Sequence, residues 1–275
     1  HFVGQFFHRV CQGYSHIMRI TVLGCGHSGG TPLIGGGWGA CDPDNPRNRR
    51  LRPSILVEDG ETRILVDTSP DLRQQLLNAG VDRIDAILYT HAHADHLHGI
   101  DDLRAINRIM KADIPAYADA ATWQAIEMRF DYIMSPLRDG SGFYYKPQLT
   151  PHTISPGDQF DIGPITINAF DQDHEVMRTI GYRFGKFAYS TDVVRMPEAS
   201  FAALAGVEVW MIGTLMPKPH PTHAHVDRAV EWSERLGVRR TILTHLSHRA
   251  DYSELQAMTP DNVEPAHDGM IIEVY

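Results

Sequence analysis

Cysteine is scarce in this 275-residue chain: Cys11, Cys25 and Cys41 are the full set. An odd, sparse set makes no disulfide framework, so a reducing compartment and a cytoplasmic location are expected. No apolar run approaches the roughly 18 residues that a membrane span needs, so no membrane partner is expected. Positive charge is short as well. The formal net charge of −9 leaves no global basic field to draw in nucleic acid. The one dense basic stretch, RNRRLR at 47–52, reads as a solvated loop. No repeat, low-complexity tract or linker is evident. Residues 1–17 hold Phe2, Phe6, Phe7 and His8 but no compact apolar core and no small-residue cleavage site. They read as an N-terminal extension or an expression remnant over 1–18, ahead of one domain at 19–275.

What is present is a strand-rich pattern with helices between. RITVLG (19–24), SILVED (54–59), TRILVDT (62–68) and IDAILYT (84–90) are apolar runs bounded by turn residues, as strands are. Gly60 makes a hairpin of the middle two. Residues 69–80 start with Ser and Pro and stop at Gly80, as a helix does. Further helices are predicted over 100–110, 119–133 and 225–236. Further strands are predicted over 164–174, 180–192, 207–214, 239–246 and 269–275. Strands in two batches, each followed by helices, imply two sheets packed face to face with helices outside.

Chemistry concentrates in THAHADHLHG, 90–99, where four histidines and an aspartate share ten positions. On an extended segment alternate side chains share a face. His91, His93 and Asp95 are therefore expected to point together, with His96 turning in at the bend. Imidazole and carboxylate are ordinary ligands of zinc and similar ions. Three more ligand types end predicted strands: His174 in FDQDHE, Asp192 in YSTDV and His245 in ILTHLSH. Seven ligands suffice for two divalent ions with one bridging carboxylate. Zinc, manganese and iron all suit such a set.

An HxHxDH run after a strand, followed by distant His, Asp and His, resembles the metallo-β-lactamase superfamily from residue 19 onward. The resemblance implies a four-layer αββα sandwich in the α/β class. It implies that His91, His93 and His174 hold one metal, that Asp95, His96 and His245 hold a second, and that Asp192 bridges them. Asp67, in ILVDTSP, matches the superfamily's early aspartate, which orients metal-ligating groups. A carboxylate before a helix N-terminus would also suit that position.

Within the superfamily the chain is similar to the phosphoribosyl cyclic phosphodiesterases of phosphonate breakdown. LGCGHSGGTP (23–32), CDPDNPRNRR (41–50), PTHAHVDRA (221–229), LTHLSH (243–248) and DGMIIEV (268–274) carry this likeness. By it, His223 stands near the leaving group. That family's early loop carries enough cysteines for a separate structural zinc. Only Cys25 and Cys41 stand in this one, so no third metal is carried over.

The expected activity is hydrolysis of small cyclic or nucleotide-like phosphodiesters by a metal-activated hydroxide. His223 is the candidate proton donor, and Asp95 and Asp192 are the catalytic carboxylates. His220, His225 and His248 are weaker candidates, and His27 is a candidate substrate contact only. Ser28, in the Gly-rich turn after the first strand, and His248 are candidate substrate contacts. The alternatives are an RNA-processing nuclease of the tRNA 3′-end type and an inactive metal-binding protein. A homodimer is an allowed assembly.

Overall fold

Gly60, with φ of 60°, turns the chain between two apolar runs. The resulting hairpin pairs Ile55 with Val66 and Asp59 with Thr62. The computed structural model describes residues 17–136 and 146–275. The expected N-terminal extension lies outside the described residues, apart from Ile17 and Met18; Met18 opens the first strand.

Among the described residues the strands are β1 (Met18–Gly24), β2 (Ser54–Asp59), β3 (Thr62–Val66), β4 (Ala86–Leu88), β5 (Ile114–Ala118), β6 (Leu149–Thr153), β7 (Gln159–Ile162), β8 (Ile165–Asp173), β9 (Arg178–Phe184), β10 (Phe187–Ser190), β11 (Val209–Gly213), β12 (Arg240–Thr244), β13 (Val263–Pro265) and β14 (Ile271–Val274). They form two seven-stranded sheets, ordered β14-β1-β2-β3-β4-β5-β6 and β13-β12-β11-β10-β9-β8-β7. Ile20, Val22, Ile55, Val57 and Ile64 of the first sheet face Ile167, Tyr182, Phe184, Tyr189 and Met211 of the second in one buried cluster.

The outer faces are covered by helices. α1 (Leu72–Ala79) buries Leu72 and Leu76, one turn apart, and stops at Gly80, whose φ of 65° supplies a left-handed end. The four residues of α2 (Ala94–Leu97) lead into α3 (Leu103–Met110), and α4 (Ala120–Arg129) and α5 (Asp131–Met134) follow β5. Leu72, Ile106, Trp123 and Ile126 pack on Leu56, Leu65 and Ile87 of the first sheet. On the other side α6 (Glu198–Ala203), α7 (Val226–Leu236) and α8 (Tyr252–Met258) cover the second sheet. α7 buries Val226, Ala229, Trp232 and Ser233, a stripe at helical spacing. The layers run helix, sheet, sheet, helix: the four-layer αββα sandwich.

β3 to β6 run parallel, as do β10 to β13. Their C-terminal ends, together with that of β8, open on one edge of the sandwich. Ligands of open α/β sheets gather at that end.

Several boundaries differ from the sequence reading. The run 180–192 is a hairpin, not one strand, because Gly185 turns left-handed between β9 and β10. The helix over 119–133 breaks at Phe130, whose φ and ψ of −133° and 45° are not helical. RNRRLR is not a solvated loop throughout. Arg50 is buried, Arg47 lies over the Tyr252 ring and Arg49 over the Trp38 ring.

Candidate metal centre

The β4 run ends at Leu88, and Tyr89 and Thr90 carry the chain to the rim. The backbone there is pinned to the second sheet: Ile180 N donates to Thr90 O at 2.9 Å and the Tyr182 hydroxyl donates to Tyr89 O at 2.7 Å. His91 follows, and His93 is extended, with φ −66° and ψ 153°. At Ala94 the chain enters α2, so the two-residue alternation stops. Asp95 therefore does not join His91 and His93 as the extended reading expects. The helical turn places it beside His96 instead.

Two groups of potential ligand atoms result. One is His91, His93, His174 and Asp192; the other is Asp95, His96, Asp192 and His245. Within each, the donor atoms lie within 4.8 Å of one another. Asp192 belongs to both. Its Oδ2 lies 3.4 Å from His174 Nε2, 3.6 Å from His91 Nε2 and 4.0 Å from His93 Nδ1. Its Oδ1 lies 3.1 Å from His245 Nε2 and 3.4 Å from His96 Nε2. Asp95 Oδ2 is 3.3 Å from His245 Nε2 and 3.4 Å from His96 Nε2. All of these residues are buried except His93, whose side chain is 38% exposed.

Backbone strain marks the same residues. Asp67, Asp192 and His245 have φ of 63°, 50° and 57°, a region that L-residues rarely hold. Asp67 and His245 are the first residues after β3 and β12, and Asp192 is the second after β10. Such conformations persist where the surrounding structure over-determines them, and they gather at functional sites.

The buried polar network sets which ring nitrogens carry protons. His96 Nδ1 lies 2.6 Å from Asp67 Oδ2, and His174 Nδ1 lies 2.7 Å from Thr222 O. Carboxylate and carbonyl oxygens only accept, so both Nδ1 atoms donate, and in a neutral ring Nε2 presents its lone pair. Both Nε2 atoms face Asp192 oxygens. His91 Nε2 and His96 Nε2 are buried and make no hydrogen bond.

Charge follows the same layout. Burial opposes the charge on Asp192, yet His245 and His96 hold its carboxyl well below the usual range. Burial likewise opposes the charge on Asp95, and His96 and a hydrogen bond from His245 bring it well below. Burial and His96 push His91 down to about 4. Burial lowers His174. Burial opposes protonation of His96, but Asp95, Asp192 and Asp67 raise its pKa well above the usual value. Carboxylates that draw a proton onto His96 would hold a metal cation in its place. Nitrogen and oxygen donors in this number suit divalent metal ions.

Asp67 is fully buried and accepts from Thr90 N and from the Thr90 hydroxyl, each at 2.8 Å, as well as from His96. It is not a helix cap: the N-cap of α1 is Asp71. His223 is half-buried, with its ring centroid 4.7 Å from that of His174 and 5.0 Å from that of His245. Its loop is held by Ala224 N, which donates to Val193 O at 2.6 Å, next to Asp192. Burial, then His245, lowers His223 to about 3.

The remaining candidates lie further out. His248 and His27 face each other at 5.8 Å on the Leu246 side, where His27 N donates to Leu246 O. Ser28 is exposed. His220 bonds within its own loop to Thr222, and His225 is the N-cap residue of α7. Cys25 and Cys41 are buried free thiols, and neither ligand group contains them. Thr90 and Thr222, which orient His91 and His174, escape the sequence reading. For Thr90 the signal was its hydroxyl beside the first histidine. Thr222 acts through its backbone carbonyl, which leaves no signal.

Residues 62–246 match the family described as the beta-lactamase superfamily domain. An octanoyltransferase of Porphyromonas gingivalis (strain ATCC BAA-308 / W83) is 31% identical over 256 residues, covering 92% of this chain and 51% of that protein. A ribonuclease Z of Bradyrhizobium sp. (strain ORS 278) is 34% identical over 144 residues, covering 50% of this chain and 46% of that one. The matches thus span about half the length of these two curated relatives. Among solved structures, a diphosphatase from the PhnP family superposes with a TM-score of 0.85 at 36% identity, covering 94% of this chain and 97% of that one. The short form of human tRNase Z gives 0.69 at 18% identity, covering 92% and 98%, a likeness of fold.

Proposed function

The chain belongs to the beta-lactamase superfamily, and from that premise we propose that it is a metal-dependent hydrolase of small, nucleotide-like phosphodiesters. Its reaction centre would hold two divalent ions, zinc or manganese, with iron as a third option. His91, His93 and His174 would hold one ion and Asp95, His96 and His245 the other. Asp192 would serve both, because each of its oxygens faces a different group. Bound there, the ions would lower the pKa of water and take up charge on a phosphoryl oxygen.

The chain's own residues supply the rest. Asp95 and Asp192 are the proposed catalytic carboxylates; Asp95, which belongs to one group only, can accept a proton released from water. Asp67 keeps His96 in the Nδ1–H tautomer. The observation that carries the phosphodiester reading is His223. Its ring lies 4.7–5.0 Å from one histidine of each group, so it borders a substrate held by both. With a pKa near 3 the free ring is neutral. A phosphate anion beside it raises its proton affinity, and the ring can then protonate the departing oxygen. Ser28 and His248 are proposed substrate contacts at the outer edge. The diphosphatase similarity supports phosphorus chemistry. We place the protein in the cytoplasm. Among the described residues no helix is long and apolar enough to cross a membrane. The proposed partner is a small substrate and not nucleic acid, a homodimer is an allowed assembly, and residues 19–275 act as one hydrolase domain.

Octanoyl transfer is not adopted. Cys25 and Cys41 are buried, and burial raises both thiols, so neither is an activated nucleophile for acyl transfer. A panel separates the classes. Metal-reconstituted protein is offered bis-p-nitrophenyl phosphate, 2′,3′-cyclic nucleotides, a tRNA precursor, a lactam and a thioester. Turnover of the two small diesters is expected. Turnover of the tRNA precursor alone gives the nuclease reading, turnover of the lactam or thioester alone a different hydrolase, and no turnover an inactive metal protein.

A further inference from the structure

Asp67 touches only one of the two ligand groups directly, through His96. The other hydrogen bonds of its side chain end on Thr90, the residue before His91, which is fully buried. The Thr90 hydroxyl lies 2.8 Å from Asp67 Oδ2 and 3.0 Å from His91 Nδ1. A hydroxyl has one proton. Asp67 accepts from His96 and from the Thr90 amide, and its Oδ2 also needs a donor from the hydroxyl. The Thr90 proton is thereby committed to Asp67. The oxygen can then only accept from His91, so His91 Nδ1 carries the proton. His91 Nε2 is left as a lone pair, buried, unbonded and 3.6 Å from Asp192 Oδ2.

The geometry points to Thr90 as a positioning residue that carries the influence of Asp67 from one metal group to the other. One carboxylate fixes the tautomer of His96 directly and that of His91 through a single hydroxyl. The two groups thus share a support on the first sheet as well as the Asp192 oxygens from the second. Thr90 is suited to this because the main chain of Tyr89 and Thr90 is held by three hydrogen bonds. Its amide donates to Asp67 Oδ1, its carbonyl accepts from Ile180 N, and the neighbouring Tyr89 carbonyl accepts from the Tyr182 hydroxyl. Removing the hydroxyl therefore changes the His91 tether while the backbone stays anchored. This inference rests on the ligand assignment proposed above, not on the identity of the substrate.

The test is metal affinity, read by competition with a chromophoric chelator, in wild-type, Thr90→Val, Thr90→Ser and Thr90→Ala protein. Valine is nearly isosteric and lacks the hydroxyl. Thr90→Val should weaken one zinc equivalent by about 10–100-fold, the usual effect of losing an outer partner of a ligating histidine. The other equivalent should shift less. Thr90→Ser should restore affinity to within a few-fold of wild type. Histidine ¹⁵N–¹H spectra of zinc-loaded protein supply a second readout: the protected His91 Nδ1–H signal should persist in Thr90→Ser and exchange faster in Thr90→Val. If Thr90→Val does not fold, Thr90→Ser against Thr90→Ala isolates the same hydroxyl without added volume. Wild-type affinity for both equivalents in the variants lacking the hydroxyl, or equal weakening in Thr90→Ser and Thr90→Ala, overturns the inference. Weakened zinc binding in a protein that hydrolyses no phosphodiester leaves the inference standing and overturns only the proposed reaction.

Discussion

His245 Nε2 lies 3.1 Å from Asp192 Oδ1, and both residues hold left-handed backbone. They come from the C-terminal ends of two strands of one sheet, β12 and β10, separated by β11. Ordinary strand geometry would carry each side chain along its own sheet face. The left-handed step breaks that course, and the two side chains meet over the sheet edge. The local strain costs on the order of 1–3 kcal/mol per residue and is tolerated because the surroundings are rigid.

Asp192→Asn tests the shared position. Asparagine tolerates left-handed backbone and has the same shape, so the fold should persist. The variant lacks the second anionic oxygen and should lose affinity for both ions. Its activity should fall by more than the roughly 10–100-fold expected for outer partners. His248→Ala should stay within that smaller range. Equal rates for the two variants, with metal content unchanged, would show that the shared position lies elsewhere.

His223→Ala tests proton donation. Loss of a general acid typically costs about 10²–10⁴ in rate. A nitrophenolate leaves without a proton, so the loss should be large on ribosyl or alkyl diesters and mild on nitrophenyl esters. Metal content should not change. Equal losses on both substrates, with both ions retained, would indicate that His223 positions the phosphate. Loss of an ion would make it a ligand.

The candidate ligand set is legible because metal chemistry uses few residue types and this chain gathers four of the seven into six positions. His174, Asp192 and His245 were legible as ligand types at the ends of apolar runs. Their outer partners were not. Asp67 meets Thr90 23 residues away in sequence, and Thr222 acts through a carbonyl that every residue has. β6 and β7 escaped for another reason. They are the edge strands of their sheets and much of each is exposed, so neither shows a buried apolar face. The burial of Arg50 is not legible in the sequence, because arginine is rarely buried without a carboxylate. Here main-chain carbonyls take that role.

Arg50→Met tests this. The guanidinium donates to Ala250 O at 2.8 Å, to Ser247 O at 3.2 Å and to Asn48 Oδ1 at 3.2 Å. It thereby clasps the loop that follows His245. Methionine fills similar volume but takes the donor from Ala250 O, at about 1–3 kcal/mol, while Ser247 O keeps Ala250 N and Asn48 Oδ1 keeps Tyr252 N. Urea denaturation should show a loss of about 1–3 kcal/mol. Arg50→Lys should recover only part of it, since a single ammonium cannot replace the fork. A stability change under about 0.5 kcal/mol for methionine, the range of ordinary surface changes, would refute the clasp.

Asp268 sets a pH dependence away from the metal groups. It is the first residue of DGMIIEV, and its two oxygens accept from Cys25 N at 3.0 Å and Leu51 N at 2.7 Å. Burial raises its pKa to about 6, although both amides pull it down. The unfolded value is near 3.9. The folded state therefore holds this proton more tightly between those values. Its stabilising contribution is fully present below about pH 4 and is lost as pH rises through about 6, after which it is constant. A shift of about two units corresponds to about 3 kcal/mol. Asp268→Asn lacks this titration, so the stability of wild type relative to the variant should fall between pH 4 and 6.5. At neutral pH the variant should still be the weaker fold, because its amide can accept only one of the two N–H groups and leaves the other unpaired. Denaturant unfolding of both proteins across that range, with the carboxyl ¹³C shift of Asp268 as the direct titration, provides the measurement. A midpoint below about 4, or a difference between the proteins that does not change with pH, would mean that the two amides outweigh burial and hold Asp268 charged throughout.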